Sequence, residues 1–136
     1  MKKNYFSLLL MTLVCVFAFT ACKKGGDNDP GTTDLLVAKQ PWTVSKVTDQ
    51  NNTEVTTFQG KTVTFSSDGS YTHTLGSATE SGTYTVTGST ITFTPASGTA
   101  YASSFSDVNA TSTELTFKMT VESTKTGTTT YSVTMQ

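Results

Sequence analysis

One imidazole, two thiols and ten carboxylates, beside many hydroxyls, are the side chains in this 136-residue chain that could do acid–base, nucleophilic or metal chemistry. His73 is the single histidine. In the run Tyr71-x-His73-x-Leu75 it points toward an interior or its mouth, which suits a hydrogen-bonded, partly buried imidazole better than a catalytic base. A lone histidine cannot build the usual zinc site, which needs three or four nitrogen or sulfur ligands. The acids Asp49, Glu54, Asp68, Glu80, Asp107, Glu114 and Glu122 fall in turns or at strand ends, as solvated charges do. Two carboxylates suffice for glycoside hydrolysis, but no spacing singles out a pair. Serines abound without a Gly-x-Ser-x-Gly elbow, and there is no glycine-rich phosphate loop. Asp27, Asp29 and Gly31 give only a fragment of a calcium loop, without its further acids and distal glutamate. The expectation is a protein that is not an enzyme and has no metal or cofactor.

Charge narrows the partners. The chain has no arginine, and its lysines are scattered. It therefore lacks both the guanidinium fork that reads phosphates and a basic stripe, and nucleic acid is not an expected partner. Charged residues are 14% of the sequence, so threonine and serine must supply much of the solvated surface.

The first 21 residues read as a secretory signal. Lys2 and Lys3 precede an apolar run from Tyr5 to Phe19, and small residues follow. The run is short of the ~20 apolar residues of a membrane span. Phe19-Thr20-Ala21-Cys22 resembles the lipobox of bacterial lipoproteins, with phenylalanine where leucine is usual, as in the looser lipobox of Bacteroidota. That resemblance implies cleavage before Cys22 and a lipidation site at Cys22, which would carry diacylglycerol and a third, palmitate-like chain. Each buried methylene contributes about 0.8 kcal/mol, so two or three chains anchor a protein stably. Cleavage would also remove Cys15, leaving no disulfide or thiolate site. Residues 22–33, rich in Gly, Asp, Asn, Pro and Thr, read as a flexible tether. The expected location is the cell envelope, lipid-anchored to the outer membrane. Acids after Cys22 resemble a surface-export signal while Lys23-Lys24-Gly25-Gly26 does not, so the periplasmic face and the cell surface both stay open.

About 115 residues follow the signal, enough for one domain, taken as residues 34–136. Asp34 is expected to cap a short helical turn through Leu35, Leu36 and Ala38, ended by Pro41. Beyond it the chain alternates with period two, broken by turn residues every 8 to 12 positions or so, the pattern of an all-β barrel or sandwich. The runs are Trp42/Val44/Lys46, a weak Val55/Thr57, Val63/Phe65, Tyr71/His73/Leu75, Tyr84/Val86, Ile91/Phe93, Tyr101/Ser103/Phe105, Leu115/Phe117/Met119/Val121 and Tyr131/Val133/Met135. Gln59-Gly60, Ser67-Asp68-Gly69, Thr87-Gly88-Ser89 and Thr126-Gly127 supply hairpin turns, which make neighbouring strands antiparallel. Threonine fills the alternate positions. The predicted fold is an antiparallel meander of eight or nine short strands closed into a small barrel, which also protects the sheet edges. A β-sandwich is the alternative.

Asp34-Leu35-Leu36, Lys39-x-x-Trp42, Thr64-Phe65-Ser66-Ser67-Asp68-Gly69-Ser70-Tyr71 and Ser81-Gly82-Thr83-Tyr84-Thr85-Val86-Thr87-Gly88-Ser89-Thr90-Ile91 together resemble the lipocalin-like domain of small Bacteroidota lipoproteins. The resemblance implies a lipocalin-like barrel or half-barrel, with or without a cavity. True lipocalins carry Gly-x-Trp on the first strand; here Gln40-Pro41-Trp42 stands in its place. Barrels of eight strands either fill with side chains or hold one small ligand. Trp42, Phe65, Tyr71, Tyr84, Phe93, Phe105, Phe117 and Tyr131 share the inward side, and so many rings inside short staves favour a packed core. Two functional readings follow. One is a non-catalytic module binding a small apolar or glycan-like ligand at the barrel mouth through Trp42, Tyr71, His73 and Tyr84. The other is a structural or protein-interaction lipoprotein with a filled barrel. A hydrophobic pocket of about 300 Å³ or more would favour the first.

Overall fold

Alternation of large apolar and hydroxylated residues lets each strand bury one face and wet the other, and a sheet with no helix to cover it must close on itself. The computed structural model describes residues 31–123 and 127–136. The expected signal, Cys22 and most of the tether, along with Thr126 of the last turn, lie outside the described residues. Helix α1 (Thr32–Ala38) leads into β1 (Trp42–Asp49), β2 (Thr62–Phe65), β3 (Ser70–His73), β4 (Glu80–Thr87), β5 (Thr90–Pro95), β6 (Ser104–Ala110), β7 (Leu115–Ser123) and β8 (Gly127–Met135). Each strand pairs antiparallel with its neighbour in sequence, and β1 pairs with β8 to close the barrel. The predicted meander and its closure are both present, with eight strands.

Turn chemistry sets the hairpins. Gly60, Gly69, Gly88 and Gly127 all have positive φ, between 58° and 84°. At Ser67-Asp68-Gly69 the Asp68 carboxylate accepts hydrogen bonds from the Ser70 N–H and hydroxyl, at 2.9 and 2.6 Å, which locks the turn. These bonds hold the Asp68 carboxyl below its usual range.

Four local expectations are corrected. Val55 and Thr57 are not a strand: Thr56–Phe58 forms a 3₁₀ turn, which lets Phe58 bury its ring among the core residues. Lys46 does not share the inward side with Trp42 and Val44. The β1–β8 register slips between Val44 and Lys46, so Lys46 faces solvent and Val47 takes the inward place. Tyr101 and Ser103 precede β6, which starts at Ser104. Asp34 caps α1 from its third position rather than from the N-cap. The helix starts at Thr32, and the Asp34 carboxylate accepts the Gly31 N–H at 3.3 Å.

The two barrel ends differ. At one, α1 packs against β2 and β6 and lays Leu36 over Trp42, both fully buried. The Trp42 indole N–H donates to the Leu36 carbonyl at 2.9 Å. The Lys39 ammonium lies 5.2 Å from the indole centroid, which accounts for the Lys39-x-x-Trp42 spacing. Gln40 completes the end by acting as a short strand. Its amide nitrogen donates to the Leu36 and Phe65 carbonyls at 2.6 and 2.7 Å, and its oxygen accepts the Phe65 N–H at 3.1 Å. The opposite end, the rim, carries the β3–β4 loop and the long β5–β6 connection.

Candidate functional site

Between the two ends the barrel is filled with rings. Phe105 and Phe117 stack at 3.9 Å, Phe93 meets Phe105 at 4.6 Å and Tyr71 at 4.7 Å, and Phe65 meets Tyr84 edge-on at 5.0 Å. Such packing occupies the volume that a carried ligand would need. Among the described residues, two open clefts lie at the rim.

The rim floor is built from residues whose parity turns them inward where β3 and β4 end. Tyr71 and His73 are fully buried neighbours on β3, with ring centroids 5.5 Å apart. Glu80 opens β4 opposite His73 and shares the inward side with Tyr84. Its carboxylate ties three segments together. Oε1 accepts the Tyr71 hydroxyl at 2.6 Å, Oε2 accepts the Tyr101 backbone N–H at 2.8 Å, and His73 Nε2 stands 3.3 Å from Oε1. Both ring nitrogens of His73 are buried and without a hydrogen-bond partner. Phe58, Tyr101 and Tyr131 close over this floor, with Phe58 5.1 Å from Tyr131 and 6.5 Å from Tyr101, and Tyr101 6.5 Å from His73.

Burial governs the electrostatics. It pushes the His73 imidazole below its usual value, against the opposing pull of the Glu80 carboxylate, so His73 is neutral at pH 7. Burial also raises the Tyr71 phenol well above its ordinary value, and the bond to Glu80 adds to that, so Tyr71 stays a donor. The Tyr101 phenol is raised chiefly by burial.

Two clefts flank Tyr101. One, about 310 Å³, lies between the β3–β4 loop and the start of the β5–β6 connection, lined by Gly76, Ser77, Thr79, Glu80, Ser97 and Tyr101 among others. The second, about 510 Å³, runs from Thr99 and Tyr101 along Ser103 to Thr120 and Glu122 on β7. Hydroxyls dominate the lining of the first, while the second is divided about evenly between polar and apolar surface. The Tyr101 ring packs on Gly76, where even a methyl would come within 3.0 Å of it.

Of the residues expected to bind ligand, Tyr71 and His73 come together beneath the rim. Trp42 and Tyr84 lie toward the other end, Trp42 under α1 and Tyr84 with its hydroxyl donating to the Ser66 carbonyl at 3.1 Å. Sequence reasoning passed over Glu80 and Tyr101. Parity could have found Glu80, because counting back in twos from Tyr84 through Gly82 puts it on the inward face. Tyr101 carries no such signal, since its place depends on the path of an irregular segment. A family model described as a lipocalin-like domain matches residues 38–117. No curated protein matches the chain.

Proposed function

The chain belongs to the lipocalin-like domain family, and on that premise we propose that it is a non-catalytic binding lipoprotein that takes a small, hydroxyl-rich, glycan-like ligand at its rim. The observation that carries the reading is the placement of space. Rings fill the barrel, while the cleft of about 310 Å³ beside Tyr101 is lined by hydroxyls and one carboxylate. That volume falls at the lower end of small-molecule sites, but the lining is hydroxylated and is not the hydrophobic pocket expected for an apolar ligand, which leaves the glycan-like one. An aromatic ring beside hydroxyls offers a sugar both a stacking face and hydrogen-bond partners. Tyr101 and Glu80 would meet the ligand, Tyr71 and His73 would hold Glu80 in place, and Trp42 and Tyr84 would maintain the barrel.

The Phe19-to-Cys22 motif supports lipid attachment at Cys22 and anchoring in the cell envelope, at the outer membrane. Cys22→Ser is expected to abolish incorporation of a fatty-acid analogue and to leave the domain folded; unaltered labelling of the mutant rules out Cys22 as the attachment site.

Ligand-observed NMR of the full chain in detergent, against a panel of neutral mono- and disaccharides, tests the binding reading. Saturation transfer to at least one sugar, lost in Tyr101→Ala while Trp42→Phe retains it, is the expected result. The filled interior also favours a second reading, a protein-interaction lipoprotein. No transfer to any sugar, together with a specific protein crosslinked to the rim in the host envelope, would favour it.

A further inference from the structure

Glu80 has no charged donor on its carboxylate among the described residues. Its side chain is only 14% exposed, yet both hydrogen bonds to its carboxylate come from neutral donors, the Tyr71 hydroxyl and the Tyr101 N–H. Among the described residues the one basic group within ion-pairing distance is His73, which burial keeps neutral. Lys61, the nearby cation, donates instead to the Gly76 carbonyl at 3.2 Å. A carboxylate taken partly out of water without a counter-ion is costly, and an arriving cation recovers more there than at an open surface. Each carboxylate oxygen still has acceptor capacity, and Glu80 lines the cleft.

We propose that the rim cleft takes a ligand carrying a primary ammonium group on a hydroxylated body, with Glu80 as its counter-ion and His73 as an internal base that competes for the same carboxylate. This rests on the rim being the binding site and names the ligand class. The hydroxyls of Ser77, Thr79, Ser81, Ser97 and Thr99 suit the hydroxylated body, and Glu80 sits among them. The second, independent observation is His73 itself: a fully buried imidazole with neither nitrogen hydrogen-bonded, its Nε2 3.3 Å from Glu80 Oε1. A native interior rarely tolerates such a group without a use for it.

A proton taken up by His73 makes the imidazole a cation with an Nε2–H facing Glu80 and neutralises the carboxylate from behind, so an external cation loses its partner. By linkage, a bound ammonium makes His73 harder to protonate by the same factor. The other groups packed on His73 do not change charge in this range. Tyr71 from β3 and Tyr101 from the β5–β6 connection are phenols raised above their ordinary values, Phe93 from β5 is apolar, and Lys61 stays with the β3–β4 loop.

The test titrates the full chain in detergent, at low salt, with 6-amino-6-deoxyglucose, glucose and 6-acetamido-6-deoxyglucose. The amine of the first stays charged from pH 5.0 to 7.5, so any pH effect belongs to the protein. At pH 7.5 the amino sugar is expected to bind about tenfold tighter than either neutral sugar, equivalent to about 1.4 kcal/mol, and the preference should shrink toward pH 5.0. Glu80→Gln should remove the preference, so that the amino sugar binds no tighter than either neutral sugar. If that variant does not fold, the His73 imidazole resonance of the unaltered protein decides the matter, since the amino sugar should shift its titration to lower pH. Equal binding of all three sugars, a preference that survives Glu80→Gln, or a His73 titration unmoved by the amino sugar overturns the counter-ion assignment and leaves the rim site standing. Failure of all three to bind overturns both.

Discussion

At the scale of single residues, the contact between His73 and Glu80 sets how the molecule responds to acid. Burial lowers the His73 pKa in the folded state, while the unfolded chain titrates near 6.5. Below that value the unfolded state binds the proton that the folded state refuses. The stability tied to His73 is therefore complete above about pH 6.5 and is lost as pH falls through it toward the lower folded value. Urea titrations should show the midpoint falling between pH 7.5 and 5.5, and His73→Phe should flatten that slope; an equal slope in the variant would place the titrating group elsewhere. His73 and Tyr71 were legible in the sequence because they sit on a clean alternating run. Glu80 was concealed by its type, since an acid at a strand end reads as a solvated charge until the backbone brings two hydrogen-bond donors onto it.

Among the elements, the β4–β5 hairpin shows what period-two reasoning captures and where it stops. Thr83, Thr85 and Thr87 pair with Thr94, Thr92 and Thr90, and Tyr84 with Phe93, as alternation about the Thr87-Gly88-Ser89 turn requires. Gly82 is different. It pairs with Pro95, and a Cβ there would fall inside contact distance of the Thr94 carbonyl oxygen and 2.7 Å from the Pro95 Cα. Backbone atoms cannot step aside cheaply, so Gly82→Ala is expected to cost about 1 to 3 kcal/mol by forcing the strands apart. Denaturant titration checks it: a loss below the error of the measurement would mean that the hairpin has room to spare. The slip in β1 and the 3₁₀ turn at Thr56–Phe58 escaped the same reasoning for one cause. Each breaks the local period to place a particular side chain, Val47 or Phe58, in a core that only distant strands define.

For the whole molecule, stability depends on rings meeting across the barrel. Phe117, stacked on Phe105 at 3.9 Å and buried, should cost about 3 to 5 kcal/mol as Phe117→Ala. The entire domain has about 5 to 15 kcal/mol to lose. Thr92→Ala, on the exposed face, should stay within about 0.5 kcal/mol. Guanidinium midpoints of the two variants measure the contrast, and equal shifts would refute the assignment of faces. Alternation, turn glycines and the absence of a covering helix were enough, from the sequence by itself, to determine an antiparallel meander with a wet threonine face and an aromatic inward face, because backbone geometry ties period to face within each strand. Whether the inward rings would leave a cavity, which end would stay open, and that Glu80 and Tyr101 would meet beside His73 were decided by the tertiary structure alone. Parity tells which side a residue faces and nothing of depth, and the pairing of β1 with β8 and the path of the β5–β6 connection join residues that no local pattern relates.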